Sequence, residues 1–345
     1  MSLFSAKFDI ITIGGSTEDI SFYIDDYYLI ENQASAAGNE LLAFDYGTKV
    51  GVAKADSTFG GGAANTAVCL AQLGLKTAGI ITYGSDERGR EILANLKKRG
   101  VDTSLTKMIR GQKSGFSFIV IGLNNEHVAF SYRAANSALE ITNRDLAKLK
   151  QAKWTFITSL TGEWRKNLAK IFSLGSDIRI GWNPGEMQVD AGFKALKKYF
   201  KHTEVLTMNK DEAVKLVVSH PSYSKKPYGF LANSVNLLEV IKSWGPKVVV
   251  ITNGDKGANS YDGHDFYHQP IIEATHKEDT TGLGDAFGSS FVAGLEFFAY
   301  DIKKALYLGA LNSSAVITKL GAQNGLLARK DIEFLFKADA DKLNK

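Results

Sequence analysis

The run Lys247-Val248-Val249-Val250-Ile251-Thr252 constrains this chain most, being continuous, mostly β-branched and closed by Asn253-Gly254. It is too short for an ordinary helix and has no polar side. It therefore reads as a strand buried on both faces, the condition of a parallel sheet covered by helices. Similar short runs recur at 8–14, 77–83, 153–158, 178–182 and 203–207. Segments with helical spacing lie at 63–73, 87–99, 163–174, 189–200, 209–218, 234–243, 284–298, 301–319 and 329–343. This alternation predicts an α/β sandwich whose central sheet is mostly parallel and carries helices on both faces.

Residues 18–59 and 107–133 depart from the alternation, being rich in Tyr, Phe, Ile and Ser with period-two stretches such as Ser117-Phe118-Ile119-Val120-Ile121. They are expected to form antiparallel strands of a small β lid, hinged on the main body within a single domain spanning 1–345. Exposed lid edges leave room for a homodimer. Composition narrows the partner. With 345 residues, 44% hydrophobic and 23% charged, the chain has the balance of a globular protein. Its 41 basic and 37 acidic residues give +4 without a basic run, so a small molecule is expected as partner rather than nucleic acid. The lone Cys69 excludes an internal disulfide and argues against structural zinc, which fits a reducing compartment. No stretch approaches the ~20 apolar residues that span a bilayer. Phe8–Ile13, interrupted by Asp9, is too short for a signal-peptide core. A cytoplasmic protein with no membrane partner is expected.

Two glycine-rich segments point to chemistry. In Phe59-Gly60-Gly61-Gly62-Ala63-Ala64-Asn65-Thr66-Ala67 the glycines open a helix, and the Asn65 amide can both donate to and accept from ligand hydroxyls. In Glu278-Asp279-Thr280-Thr281-Gly282-Leu283-Gly284-Asp285 a turn runs into an apolar helix with Asp285 in its first turn. Main-chain N–H groups there can converge on phosphoryl oxygens, the helix dipole favours negative charge, and Asp285 can take a proton from an attacking hydroxyl. Asn209 and Glu212 stand one turn apart at a helix start, where they either form a capping box or hold the water shell of Mg²⁺. Thr252-Asn253-Gly254-Asp255-Lys256-Gly257 follows the most buried strand at its carboxyl end, where nucleotides bind in open α/β sheets. Neither a GxxxxGK(S/T) loop nor a GxGxxG fingerprint after the first strand is present, which argues against a Walker-type loop and an NAD site.

At these residues the chain resembles the PfkB carbohydrate kinase family, the ribokinase-like sugar and nucleoside kinases. Residues 60–74 look like its N-terminal signature and 279–295 like its C-terminal one. Gly14–Asp19, Asn183-Pro184-Gly185-Glu186, 208–212, 252–257 and Gly321-Ala322-Gln323 fall in family order. The resemblance implies a ribokinase-like three-layer sandwich with a lid, and ATP-dependent phosphorylation of a primary hydroxyl on a small sugar or sugar derivative. It implies Asp285 as catalytic base, with the backbone of Gly282, Leu283 and Gly284 as an anion hole. Asp19, Gly61, Gly62 and Asn65 would bind substrate; Asn209, Thr252, Gly254, Lys256, Gly257, Gly284 and Asn312 would bind ATP. Glu212 would reach Mg²⁺ through water, and in potassium-activated members the residues matching Asp279 and Thr281 ligate K⁺.

The chain departs from typical ribokinases at Gly62, where they carry Lys, at Thr17, where they carry Asn, and at Leu283, where the signature has Ala. The acceptor therefore stays open between a sugar and a nucleoside. Phe22, Tyr23, Phe116, Phe118, Phe130 and Tyr132 of the lid would either stack on a base or form lid core or a dimer contact. The reading of another class is a protein that keeps this fold and only binds sugar or nucleotide.

Overall fold

A computed structural model describes residues 6–31, 40–122 and 127–339. Its strands are β1 (Phe8–Gly14), β2 (Thr17–Tyr23), β3 (Tyr28–Glu31), β4 (Glu40–Ala43), β5 (Lys54–Gly60), β6 (Thr77–Gly84), β7 (Lys107–Ile109), β8 (Phe116–Ile121), β9 (His127–Tyr132), β10 (Ala152–Ile157), β11 (Ile180–Trp182), β12 (Val205–Asn209), β13 (Val248–Thr252), β14 (Ala258–Tyr261) and β15 (Phe266–Gln269). Its helices are α1 (Gly62–Gln72), α2 (Glu87–Lys98), α3 (Asn143–Leu149), α4 (Trp164–Phe172), α5 (Glu186–Phe200), α6 (Lys210–Val218), α7 (Tyr228–Ala232), α8 (Ser234–Ser243), α9 (Leu283–Phe297), α10 (Ile302–Val316) and α11 (Arg329–Ala338).

Nine strands form one sheet in the order β15-β14-β13-β12-β11-β10-β1-β6-β7. It is parallel from β7 to β13 and antiparallel at the β14 and β15 edge. The strongest apolar run shows why. Val249 and Ile251 of β13 pack with Leu216 of α6 and Leu237 of α8 in one core, whereas Val248 and Val250 pack with Leu70 of α1, Phe291 of α9 and Leu308 of α10 in another. Successive strand side chains point to opposite faces, so a run without polar members suits a sheet held between two helical layers. Ile11 and Ile13 of β1 divide from Ile10 in the same way. From β1 the strand order runs to β6 and β7 on one side, and β10 to β13 follow on the other. It reverses between β1 and β10, the place where open α/β sheets hold ligands at the carboxyl ends of their strands.

A second sheet has the order β5-β2-β8-β9, antiparallel except that β2 and β8 run parallel, against the expectation of antiparallel strands throughout, and among the described residues β3 pairs with β4. The expected lid segment 107–133 therefore divides, because β7 belongs to the main sheet beside β6 and the small sheet takes up the chain again at Phe116. Register sets the two faces of the small sheet. Asp19 stands beside Ser117, and Ser21 beside Ile119, on a buried face. Ile20, Phe118 and Phe130 lie side by side on the other face, with Phe22, Phe116 and Tyr132. On that outer face Phe118, Phe130 and Tyr132 keep 36%, 60% and 53% of their surface exposed. Those five aromatics point away from Asp19, so the base-stacking alternative fails for them, while Tyr23 shares the Asp19 face. Helix α2 covers only the near end: the Arg88 guanidinium lies 4.6 Å from the Phe116 ring centroid and pairs with Glu18.

Helices α9 and α10 cross closely at Gly294, where an added Cβ would lie 2.6 Å from Ala305 Cα and 3.0 Å from its Cβ. Gly294→Ala gains about 1 kcal/mol of helix propensity, but overpacking against backbone costs about 1–3 kcal/mol. The expected outcome is a lower denaturant midpoint with an unchanged m value, read by equilibrium unfolding in urea.

Candidate active site

The carboxyl ends of β1, β10, β11, β12 and β13 open on one crevice, and the N-termini of α1 and α9 meet there. The chain enters α1 through Gly61 at φ 91°, where a Cβ would sit 2.5 Å from Ser16 Cα. It enters α9 through Gly282 at φ 79°, where a Cβ would sit 2.3 Å from that of Ala322. Both turns need the left-handed conformation and the missing side chain. Ser16 itself is held by Asn136, whose Oδ1 accepts from the Ser16 N–H at 3.0 Å while its Nδ2 donates to the Ser16 carbonyl at 2.8 Å. That amide closes the passage from the large sheet to the small one.

A cleft of about 220 Å³ lies along these ends, lined by Asn183, Thr207, Met208, Asn209, Glu212, Thr252, Gly282, Gly284, Asp285, Phe287 and Gly288. Asp285 is half-buried in the first turn of α9, and its Oδ2 accepts from Asn65 Nδ2 at 2.8 Å. Nothing lies within 4 Å of the place where Gly284 would carry a Cβ. Among the described residues the N–H groups of Gly284 and Asp285 have no hydrogen-bond partner. Burial raises the Asp285 carboxyl to about 6; the Asn65 donor opposes this, and the charges of Asp19 and Glu212 add to it. Burial also raises Asp19 against hydrogen bonds from Ser117 and Thr17, with Asp279 and Glu18 adding to the rise. Asp19 lies against Gly60, where a Cβ would meet its Oδ2 at 1.8 Å, and its Oδ1 is buried without a partner. Glu212 is raised by burial too, with the Asn209 N–H opposing and Asp211 and Glu186 adding.

Asp285, Gly282 and Gly284 thus share the cleft with Asn209, Glu212 and Thr252. Asn65 touches Asp285, and Gly62 adjoins it: a Cβ at 62 would lie 3.5 Å from Asp285 Oδ1 and 2.9 Å from Thr158 Cβ. A longer side chain at 62 would displace Thr158. Asn209 and Glu212 form the capping box, Glu212 N–H donating to Asn209 Oδ1 at 2.9 Å and Asn209 N–H to Glu212 Oε2 at 2.8 Å. Leu283 offers its carbonyl to Ser313 Oγ at 3.2 Å. Asp279 staples its loop, accepting from Thr281 N–H and Gly321 N–H at 2.8 Å each. Gly254, Lys256 and Gly257 lie beyond Thr252 at the turn into β14, outside the cleft lining.

Asn312 is a correction. Fully buried, it donates to Cys69 Sγ and Ser290 Oγ and accepts from Leu327 N–H, so it has no surface for adenine. Sequence reasoning gave no role to Thr158 or Asn136, and it placed Gln323 only in a family-ordered segment. Gln323 Nε2 donates to Asn65 Oδ1 at 3.1 Å. The glycine beside Gln323 marks a turn, but no local pattern points that turn at Asn65.

Residues 30–329 match the pfkB family carbohydrate kinases, and the chain belongs to that family. It is similar to the ribokinase of Haemophilus influenzae, 26% identical over 287 residues that cover 80% of this chain and 87% of that one. In three dimensions it resembles Arabidopsis thaliana ribokinase complexed with ribose and ATP, with a TM-score of 0.77 at 19% identity over 96% of this chain and 99% of that one. It also resembles the Burkholderia thailandensis nucleoside kinase in complex with inosine, with a TM-score of 0.75 at 18% identity over 95% and 98%. Fold and family agree: a carbohydrate kinase with the ribokinase fold. No helix among the described residues is long and apolar enough to cross a membrane.

Because burial holds the Asp285 carboxyl up at about 6, the ionised form is less stable folded than unfolded near neutral pH. Asp285→Asn removes that penalty and keeps a group of the same shape. Its Tm at pH 7.5 is expected to equal or exceed that of the wild type, with the gap closing at pH 5; a large fall at pH 7.5 would show that the carboxylate supports the fold.

Proposed function

We propose that this protein transfers the γ-phosphoryl group of ATP to a primary hydroxyl of a small sugar or sugar derivative, with Asp285 as general base. One observation carries the reading: a half-buried carboxylate of raised pKa lines a polar cleft beside two unpaired N–H groups at the positive end of α9. The acceptor hydroxyl gives its proton to Asp285 as its oxygen bonds to the γ-phosphorus and the bond from phosphorus to the ADP oxygen breaks. The N–H groups of Gly284 and Asp285, with the backbone of Gly282 and Leu283 around them, meet the charge on the transferring group.

Asp19, Gly61, Gly62 and Asn65 hold the acceptor; the unpartnered Asp19 Oδ1 has the chemistry to take a ligand hydroxyl. Asn209 and Thr252 hold the nucleotide, with Gly254, Lys256 and Gly257 further along it. For Mg²⁺ the residues fit modestly. Glu212 has one oxygen outside its capping box and the charge of Glu186 nearby, and Mg²⁺ takes only one or two carboxylates and keeps several waters. When bound, the ion neutralises phosphate charge. Asp279 and Thr281 are the candidates for K⁺, which would share the carboxylate with the loop staple. The small sheet acts as a lid that excludes water from the transfer, and its outer apolar face docks a second copy, giving a cytoplasmic homodimer.

A nucleoside acceptor is the second reading. Gly62 sets no charged side chain beside Asp285, where typical ribokinases carry Lys, so the acceptor need not be the one that such a Lys would select.

The test is ADP release with a panel of sugars and nucleosides. Wild type is expected to turn over with at least one acceptor, and Asp285→Asn to lose about 10²–10⁴-fold in kcat with ATP binding kept. The base must be ionised, so kcat/KM should be flat above about pH 6 and fall roughly tenfold per unit below it. ATP binding without turnover on any acceptor would favour a binding protein instead. Phe130→Asp on the lid face is expected to convert a dimer to monomer in sedimentation velocity; a wild-type monomer would end the dimer reading.

A further inference from the structure

Three side-chain amides run in file from helix α2 to Asp285. Asn95 Nδ2 donates to Gln323 Oε1 at 2.7 Å, Gln323 Nε2 donates to Asn65 Oδ1 at 3.1 Å, and Asn65 Nδ2 donates to Asp285 Oδ2 at 2.8 Å. Gln323 and Asn65 are only 3% and 5% exposed, so water offers them few substitute partners. An amide has a donor end and an acceptor end. Turning Asn65 over would set its Oδ1 against the carboxylate and its Nδ2 against Gln323 Nε2. Turning Gln323 over would set two donors together at Asn95 and two acceptors together at Asn65. The file therefore has one consistent polarity. The Gln323 turn is itself fixed at the C-terminal end of α2, where the capping residue Arg99 donates through Nη2 to Asn324 Oδ1 at 2.6 Å, and Asn324 Nδ2 donates back to the Leu320 carbonyl at 2.8 Å.

We propose that Gln323 and Asn95 are positioning residues that hold the Asn65 amide with its donor end on Asp285. They touch neither substrate nor reacting atoms in the reading above. The kinetic consequence rests on the kinase reading, whereas the orientation of Asn65 does not. Without the relay the Asn65 amide is free to present its oxygen, and Asp285 loses the donor that opposes its protonation. The charged groups bearing on Asp285 from the other elements are Asp19 of β2 and Glu212 of α6, and both act in the same direction in every variant below.

Two variants separate positioning from bulk. Gln323→Met keeps the length and removes both hydrogen bonds. Asn95→Asp keeps the shape and offers only acceptors to Gln323, which inverts the file. The titration of the Asp285 carboxyl is followed by ¹³C NMR, its signal assigned by its loss in Asp285→Asn. Either variant is expected to raise that midpoint by about half a unit or more and to lower kcat about tenfold while KM for ATP stays within about twofold. In the Gln323→Met background Asn95→Asp should then add only the small through-space effect of its new charge, because the connection is already cut. An unmoved Asp285 midpoint in Gln323→Met, or an Asn95→Asp effect of equal size in both backgrounds, overturns the proposal. Asn95 is half-buried on α2, so its single variant still decides the matter if Gln323→Met does not fold. A wild type inactive on every sugar and nucleoside would remove the kinase reading and leave the titration to decide the relay.

Discussion

The hydrogen bond from Asn65 to Asp285 joins the first turns of α1 and α9, and the arrangement of the crevice follows from keeping it. One helical turn further along, the same two helices are tied by buried polar groups. Cys69 Sγ lies 3.4 Å from Ser290 Oγ, and Asn312 of α10 donates to both. Apolar helix faces can slide or rotate against one another at little cost, whereas a buried polar cluster loses its partners when they do. The cluster therefore fixes the rotation of α1 against α9 and α10, and with it the meeting of Asn65 and Asp285. Asn312 thus bears on the site through helix registry.

The carboxylate so placed is costly. Desolvation penalises its charged form, and the neighbouring charges of Asp19 and Glu212 add to that. The Asn65 donor and the positive end of α9 act in the opposite sense. The balance leaves Asp285 ionised at neutral pH yet more basic than an exposed aspartate. Glycines at 61, 62 and 282 are the other half of this arrangement. Side chains there would strike Ser16, Thr158 and Ala322. Backbone packed this closely lets two helix N-termini reach one small volume.

Strands buried on both faces were legible because every residue in them meets the same apolar demand: β1, β6, β10 and β13 lie within a residue or so of their expected ends. The two glycine-rich helix starts were legible because their composition is a local record of close backbone approach. The short β7, with only three residues, and the β14–β15 hairpin carry too few apolar positions to announce that they extend the main sheet. The direction of the aromatics on the small sheet was invisible because a period of two says that a strand has two faces, without saying which one meets the crevice. Asn312 and Gln323 are polar residues whose partners are far away in sequence, and nothing local distinguishes an amide that binds a ligand from one that locks a helix or orients another amide.

The small sheet inverts the usual placement of polarity. Its Thr17, Asp19, Ser21 and Ser117 are buried, while Ile20, Phe118 and Phe130 stand side by side on the outer face. A lone sheet in water would turn the other way, because exposing rings and burying a carboxylate are both unfavourable. The buried polar face is the one turned toward the crevice, whose residues Gly60 and Ser117 meet Asp19. Glu18 alternates with Asp19 along β2 and pairs with Arg88, which also covers Phe116. The same face of α2 carries Asn95, two helical turns on. The small sheet and Asp285 are thus both joined to one helix, through Arg88 at its start and through Asn95, Gln323 and Asn65 further on.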